Sequence, residues 1–257
     1  MPNDAVHDLR GLGFRASAEA LHALIEHATK TRASPIQVVE QIVALERRER
    51  DACNLARRTR RATLGPFATL DTFDWNHPRS IDHDLYDQLL TLDFVEHGHN
   101  VLFRGQSGVG KTTLAQNLGL AALQRGYTVR FATLASALAD LLKQESLPAL
   151  DRRLRQYTNP QLLVVDEIGY LPCDSRSADL LYNVISRRHL QRSTIISTNL
   201  AFKQWSGVFP GAACVAALVD RFVQHCHVVD IDADSWRQKK SLEPPTPKSA
   251  PNKPRKR

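Results

Sequence analysis

Cysteine is scarce in this 257-residue chain, and the four present, Cys53, Cys173, Cys214 and Cys226, form no Cys-x-x-Cys pair. That spacing argues against a disulfide framework and a zinc knuckle, and it suits a reducing compartment. Long apolar runs are missing too. No stretch is long enough to span a bilayer, and the opening MPNDAVHDLR lacks the apolar core of a secretory signal. A cytoplasmic location without a membrane partner is the expectation. His225-Cys226-His227 offers little to a metal, because three consecutive residues of a regular element cannot all face one ion. The triplet reads as a helix end and a strand start.

Acids are outnumbered: 27 Asp and Glu against 34 Lys and Arg leave a net charge of +7, and the pI is near 9.4. An anionic partner is favoured, nucleic acid first. The imbalance is sharpest in LERRERDACNLARRTRRATL. There Glu46, Glu49 and Asp51 permit intrahelical pairs with the first arginines, whereas no acid remains for Arg57, Arg58, Arg60 and Arg61. Contact of those four with a phosphate backbone is expected, against the alternative of a solvated helix face.

With 42% hydrophobic residues the chain can bury a proper core. Four zones follow from the patterning. Residues 1–65 read as a small all-helical domain: Leu21, Leu24, Ile25 and Ala28 recur at helical spacing, as do Ile36, Val39 and Val43, and Ser34-Pro35 is a helix start. Residues 66–99 are a connector with Phe73-Asp74-Trp75 and a short helix around Leu85 to Leu92. Residues 100–238 alternate strand-like and helical runs, which predicts a parallel sheet covered on both faces. The strand candidates are Val101–Phe103, Thr128–Phe131, Leu162–Val165, Thr194–Ser197 and His227–Ile231. Residues 239–257 form a proline- and lysine-rich tail expected to be disordered.

Gly105-Gln106-Ser107-Gly108-Val109-Gly110-Lys111-Thr112 meets GxxxxGK[ST] at every fixed position, and Thr113 follows. In such a loop the glycines let successive N–H groups turn inward onto phosphate oxygens, and the following helix adds its positive end. Lys111 is expected at the β- and γ-phosphates of ATP, and the Thr112 hydroxyl on Mg²⁺. A strand candidate precedes the loop; Leu114, Leu118, Ala121 and Ala122 continue it at helical spacing until Gly126. Leu162-Leu163-Val164-Val165-Asp166-Glu167 then reads as a buried strand ending in two carboxylates, a Walker B layout. Asp166 would hold Mg²⁺ and Glu167 would polarise the attacking water. Asn199 closes the next strand, where it could orient that water; the alternative is a strand-end turn asparagine. Arg221, near the end of a helical run, could reach a neighbouring subunit's ATP as an arginine finger, or cap its own helix.

This order of parts resembles an AAA+ ATPase core. More closely, the chain is similar to the IstB-like ATP-binding proteins, transposition helpers of insertion sequences related to DnaC and DnaA. The likeness covers most of residues 8–240 and rests on LARRTRRATL, FDW, GQSGVGKTTLA, LLVVDEIGYLP, HLQRSTIISTN, LVDRF and DSWRQKK. It implies a five-stranded parallel sheet in the order 5-1-4-3-2 with little or no lid domain. It also implies a DNA-dependent ATPase that forms ATP-stabilised rings or spirals on duplex DNA and acts on a cognate, IstA-like transposase. By motif position Lys111, Thr112, Asp166, Glu167, Asn199 and Arg221 inherit the roles above. Arg237 sits where a late arginine recurs in the family. The relatives further suggest a DNA-facing rim at Lys143, Arg152, Arg153 and Arg155, which could equally be a solvated helix face. Two other functions compete: a DnaC-like helicase loader with the same core, and a small-molecule P-loop kinase, for which no acceptor pocket is recognisable.

Overall fold

The computed structural model describes residues 2–169 and 174–236. The basic tail, Arg237, the end of the LVVDEIGYLP motif (residues 170–172) and Cys173 lie outside the described residues.

Three helices open the chain: α1 (Pro2–Gly11), α2 (Ala18–Lys30) and α3 (Pro35–Ala62). α3 starts where the sequence places it. Ser34 accepts the Gln37 amide at 3.3 Å, the Gln37 side chain accepts the Ser34 amide at 2.8 Å, and Pro35 occupies the first turn. Val6, Ala16 and Leu21 form a small core supported by Ile25 and Leu45. Glu46 enters it from α3. Its carboxylate accepts the Arg15 and Ala16 amides at 2.8 and 3.0 Å and the Arg50 guanidinium at 2.5 Å. Ile36, Val39 and Val43 do lie on a helix, but they are 71, 59 and 43% exposed, so among the described residues that stripe has no cover.

The connector holds β1 (Ser80–Ile81), α4 (His83–Leu90) and α5 (Asp93–Glu96). The remaining elements alternate: β2 (Asn100–Gly105), α6 (Lys111–Arg125), β3 (Val129–Thr133), α7 (Leu134–Leu142), α8 (Leu147–Thr158) and β4 (Leu162–Ile168). Then come α9 (Ser175–Arg188), β5 (Ser193–Thr198), α10 (Trp205–Val208), α11 (Val215–Val223) and β6 (Cys226–Asp232). All five strand candidates are present. The sheet order is β1-β6-β2-β5-β4-β3, and the neighbours from β6 to β3 pair in parallel. Counted along the chain, those five strands run 5-1-4-3-2, as the resemblance implied. The strand count is corrected from five to six, because Ser80–Ile81 pairs antiparallel with Ile231 and Asp232 at the edge. Two residues without alternation carry no periodic signal of their own.

Side chains alternate across the sheet into two cores. Leu102, Leu163, Val165 and Ile196 face a cluster with α7, α8, α9 and α11. Val101, Phe103, Val164 and Ile195 face a cluster with α4 and α6 that also takes in Ala62, the last residue of α3, and Leu64 beyond it. The last turns of α3 are thus fastened to the sheet domain. Thr63 donates to Phe131 O at 2.6 Å, Arg58 to Leu123 O at 3.2 Å and Gln116 to Leu64 O at 2.6 Å. With every long strand parallel, the carboxyl ends of β2, β4 and β5 come out along one edge, where open α/β sheets bind their ligands.

Candidate functional site

At that edge β2 runs into the glycine loop. Gly108 and Gly110 have φ of +84° and +98°, the left-handed region where a side chain is strained. The backbone turns there and delivers α6 with Lys111 at its first position. The Lys111 ammonium is buried and donates to Gly105 O at 2.7 Å and Gln106 O at 2.6 Å, so the loop curls around its own lysine.

β4 brings Asp166 to the same place. The Thr112 hydroxyl donates to its two carboxylate oxygens at 2.9 and 3.1 Å, and Asp166 is only 2% exposed. The Ser197 hydroxyl, from the neighbouring β5, also donates to Asp166 and accepts the Glu167 amide at 3.0 Å. The β4–β5 register shifts between Val165 and Ile168, and Glu167 has φ of +65°. This bulge holds a non-glycine residue in a strained conformation, which the surrounding contacts must stabilise. Its result is that consecutive carboxylates part company: Asp166 is buried beside Thr112, while Glu167 is exposed at the wall of a cavity of about 220 Å³. Ser107 to Thr113, Glu167 and Ser197 are among the residues that line that cavity.

Lys111, Thr112, Asp166 and Glu167 therefore converge. Asn199 is exposed in the turn after β5, with its Oδ1 against Gly169, and the β5 side chain at the cavity wall is Ser197. Ser197 was not singled out from the sequence. The available signal was its place in the strand candidate Thr194–Ser197, two residues before Asn199. Arg221 lies away from this cavity. It donates to the Tyr182 hydroxyl and to Ser186 Oγ at 2.6 Å, with its guanidinium 4.8 Å from the Tyr182 ring centre.

A second concavity, of about 710 Å³, opens at the far end of α6. Arg57, Arg58, Arg60 and Arg61 from α3 meet Arg130 of β3 and Arg155 of α8, and among the described residues no carboxylate lines it. Arg58 Nε and Arg130 Nε are buried without a hydrogen-bond partner. Arg130 was not anticipated; as one arginine in a strand it had no distinguishing pattern. Lys143, Arg152 and Arg153 fall outside the cleft. Arg153 is bound in a two-point ion pair with Asp140 at 2.5 Å, and Arg155 shares Asp151 with Arg187.

The model of the family described as IstB-like ATP binding protein matches residues 7–244. The chain belongs to that family. A protein of insertion sequence IS21 from Pseudomonas aeruginosa, named for ATP binding, is 32% identical over 91% of this chain and 90% of its own length. A counterpart from insertion sequence IS5376 of Geobacillus stearothermophilus is 31% identical over 86% of this chain and 88% of its own. Among solved structures, AMPPCP-bound DnaA from Aquifex aeolicus superposes with a TM-score of 0.56 at 20% identity, covering 69% of this chain and 54% of that one. DnaI superposes with a TM-score of 0.54 at 16% identity, covering 64% and 90%. Those two likenesses speak to fold alone: an α/β P-loop core on a mostly parallel sheet. The chain is thus a member of the IstB-like ATP binding protein family with that fold. No helix among the described residues is long and apolar enough to cross a membrane.

Proposed function

We propose that this IstB-like chain hydrolyses ATP at the cavity between β2, β4 and β5, and that ATP occupancy controls how copies of it assemble on duplex DNA to assist a cognate transposase. The observation that carries the hydrolysis is the chain of contacts Thr112–Asp166–Ser197–Glu167. A hydroxyl and a carboxylate 2.9 Å apart are hard oxygen donors suited to Mg²⁺, which keeps several waters and shares its ligands with phosphates. Thr112 and Asp166 would hold that ion, which when bound supplies charge neutralisation at the β- and γ-phosphates.

The protein's own part follows from its donors and acceptors. The loop amides and Lys111 bind the phosphates, with Lys111 exchanging the Gly105 and Gln106 carbonyls for phosphate oxygens. Glu167, on the cavity wall, takes a proton from the attacking water. Asn199 orients that water once the turn beside Gly169 closes on ATP, and Arg221 serves a neighbouring copy's site. The arginine cleft supports duplex DNA as the anionic partner: among the described residues only Arg155 of its six guanidiniums is held by a carboxylate, that of Asp151, and the surplus positive charge suits a phosphate backbone.

The test is assembly state and ATPase rate with and without duplex DNA at moderate salt, in ATP and in ADP. DNA-bound oligomers with ATP, their dissociation with ADP, and a DNA-altered turnover are expected. Duplex DNA that neither binds nor changes turnover would remove the proposal.

A further inference from the structure

Two sequence motifs remain without a task in this account: Phe73-Asp74-Trp75 in the connector and Asp234-Ser235-Trp236 after β6. They are about 160 residues apart in the chain, yet both lie against the glycine loop. A Cβ on Gly110 would sit 2.7 Å from the Phe73 ring, and one on Gly108 would sit 2.4 Å from Ser235 Oγ. The Trp236 amide donates to Gly108 O at 3.1 Å.

Several independent contacts hold these segments together. β1 pairs with the end of β6, and the Arg79 amide donates to Asp232 O at 2.7 Å. The Arg79 guanidinium grips both Asp234 oxygens at 2.6 and 2.7 Å. His77 Nε2 donates to Asp234 O at 2.8 Å, and its ring meets Trp236 edge-on at 4.7 Å. On the other side Phe73 packs on Trp75 at 4.8 Å, and Trp75 on Tyr86, whose hydroxyl donates to Leu114 O in the loop's own helix. Phe73, His77 and Trp236 line the same cavity as the glycine loop and Glu167.

We propose that Phe73 and Trp236, with His77 propping the indole, form a stacking slot for the purine base of the bound nucleoside triphosphate. The inference rests on the ATP-binding reading of the loop and adds what that reading leaves open, namely which groups hold the end of the ligand that carries no charge. Amides and lysine of a glycine loop grip any triphosphate alike, so the hold on the base has to come from elsewhere. Aromatic faces supply it, because a base stacks on them without needing a specific hydrogen bond. With Phe73 before β1 and Trp236 after β6, the slot exists only when the β1–β6 pairing is made.

The experiment compares ATP with inorganic tripolyphosphate, which offers the phosphates without the base, using the full chain. Binding is followed by calorimetry and by emission of the three tryptophans, Trp75, Trp205 and Trp236. ATP is expected to quench emission and tripolyphosphate to bind without that quench. Trp236→Ala and Phe73→Ala should each weaken ATP binding about tenfold or more while leaving tripolyphosphate affinity within about twofold. Trp236→Phe should keep ATP affinity and lose most of the quench. Equal loss for both ligands would make the aromatics supports of the loop and overturn the slot, as would unchanged ATP affinity in both alanine variants. If neither ligand binds the unaltered chain, or Lys111→Ala leaves both affinities intact, the nucleotide reading itself falls and takes the slot with it.

Discussion

The Glu167 amide donates to the Ser197 hydroxyl at 3.0 Å, and that same hydroxyl donates to the Asp166 carboxylate. One serine on β5 thereby ties the proposed Mg²⁺-binding carboxylate to the backbone that presents the proposed general base. Ser197→Ala removes both bonds, and the strained Glu167 loses a restraint. Loss of an outer partner of this type costs about 10- to 100-fold in activity or metal affinity. The expected result is a fall in kcat of that size, a higher Mg²⁺ requirement and an unchanged Kd for ATP without metal, with Ser197→Thr recovering much of the rate. Glu167→Gln, in contrast, should retain ATP and Mg²⁺ affinity and hold the ATP-bound assembly on DNA. Undiminished turnover in Glu167→Gln would take the general-base role from it.

The arginine cleft makes a salt-dependence prediction. Each cleft arginine that neutralises a phosphate contributes to the slope of log affinity against log salt. Arg57→Ala or Arg61→Ala should therefore weaken duplex binding for all sequences and reduce that slope by about one. Arg153→Ala should leave the slope alone and lower thermal stability instead, because its charge is already matched by Asp140. Equal slopes for all three variants and the unaltered chain would exclude the cleft as a DNA surface.

Arg221 contacts Tyr182 and Ser186 of its own chain and lies outside its own nucleotide cavity. If it acts on a neighbour, Arg221→Ala should lower kcat by about a thousandfold or more with ATP binding kept. Mixing Arg221→Ala with Glu167→Gln chains should restore part of the activity, since some interfaces then combine an intact arginine with an intact glutamate. A purely additive mixture would confine Arg221 to bracing α9 and α11.

Glu46 predicts an acid limb for the N-terminal helices. Burial pushes its carboxyl up, but the Arg50 guanidinium and the Ala16 and Arg15 amides outweigh that and leave it below its ordinary value of 4.5. A carboxyl lowered by folding contributes stability that is fully present above its unfolded value and is lost as pH falls through the lowered one. Hydrogen-exchange protection of α2 and the first half of α3, taken relative to the intrinsic rate at each pH, should therefore fall below about pH 4.5, ahead of the sheet domain. Glu46→Gln should give faster exchange at neutral pH and a flatter acid limb.

Much of this molecule is legible in one dimension, because its signals are local. Ser34 to Gln37 caps α3 over four residues, the glycine loop from Gly105 to Thr112 needs only its own backbone, and a buried parallel strand such as Leu162–Val165 is apolar throughout. Those short-range rules named the P-loop, the Walker B carboxylates and the strand sequence. Family resemblance, not periodicity, supplied the sheet order.

What required three dimensions is what depends on distant segments meeting. Helical spacing identified Ile36, Val39 and Val43 as one face but not whether anything covers it, since cover comes from other elements. Ser197 earned its place through Asp166 and Glu167, some thirty residues away in the chain, and Arg130 through α3 and α8. The two-residue strand at Ser80 exists only because Asp232 is its partner. Residue type and near-neighbour spacing determined that this IstB-like chain has a phosphate loop and a carboxylate pair. Only folding decided that a serine joins the pair, that six arginines share one cleft and that the chain's two aromatic motifs close over the same loop.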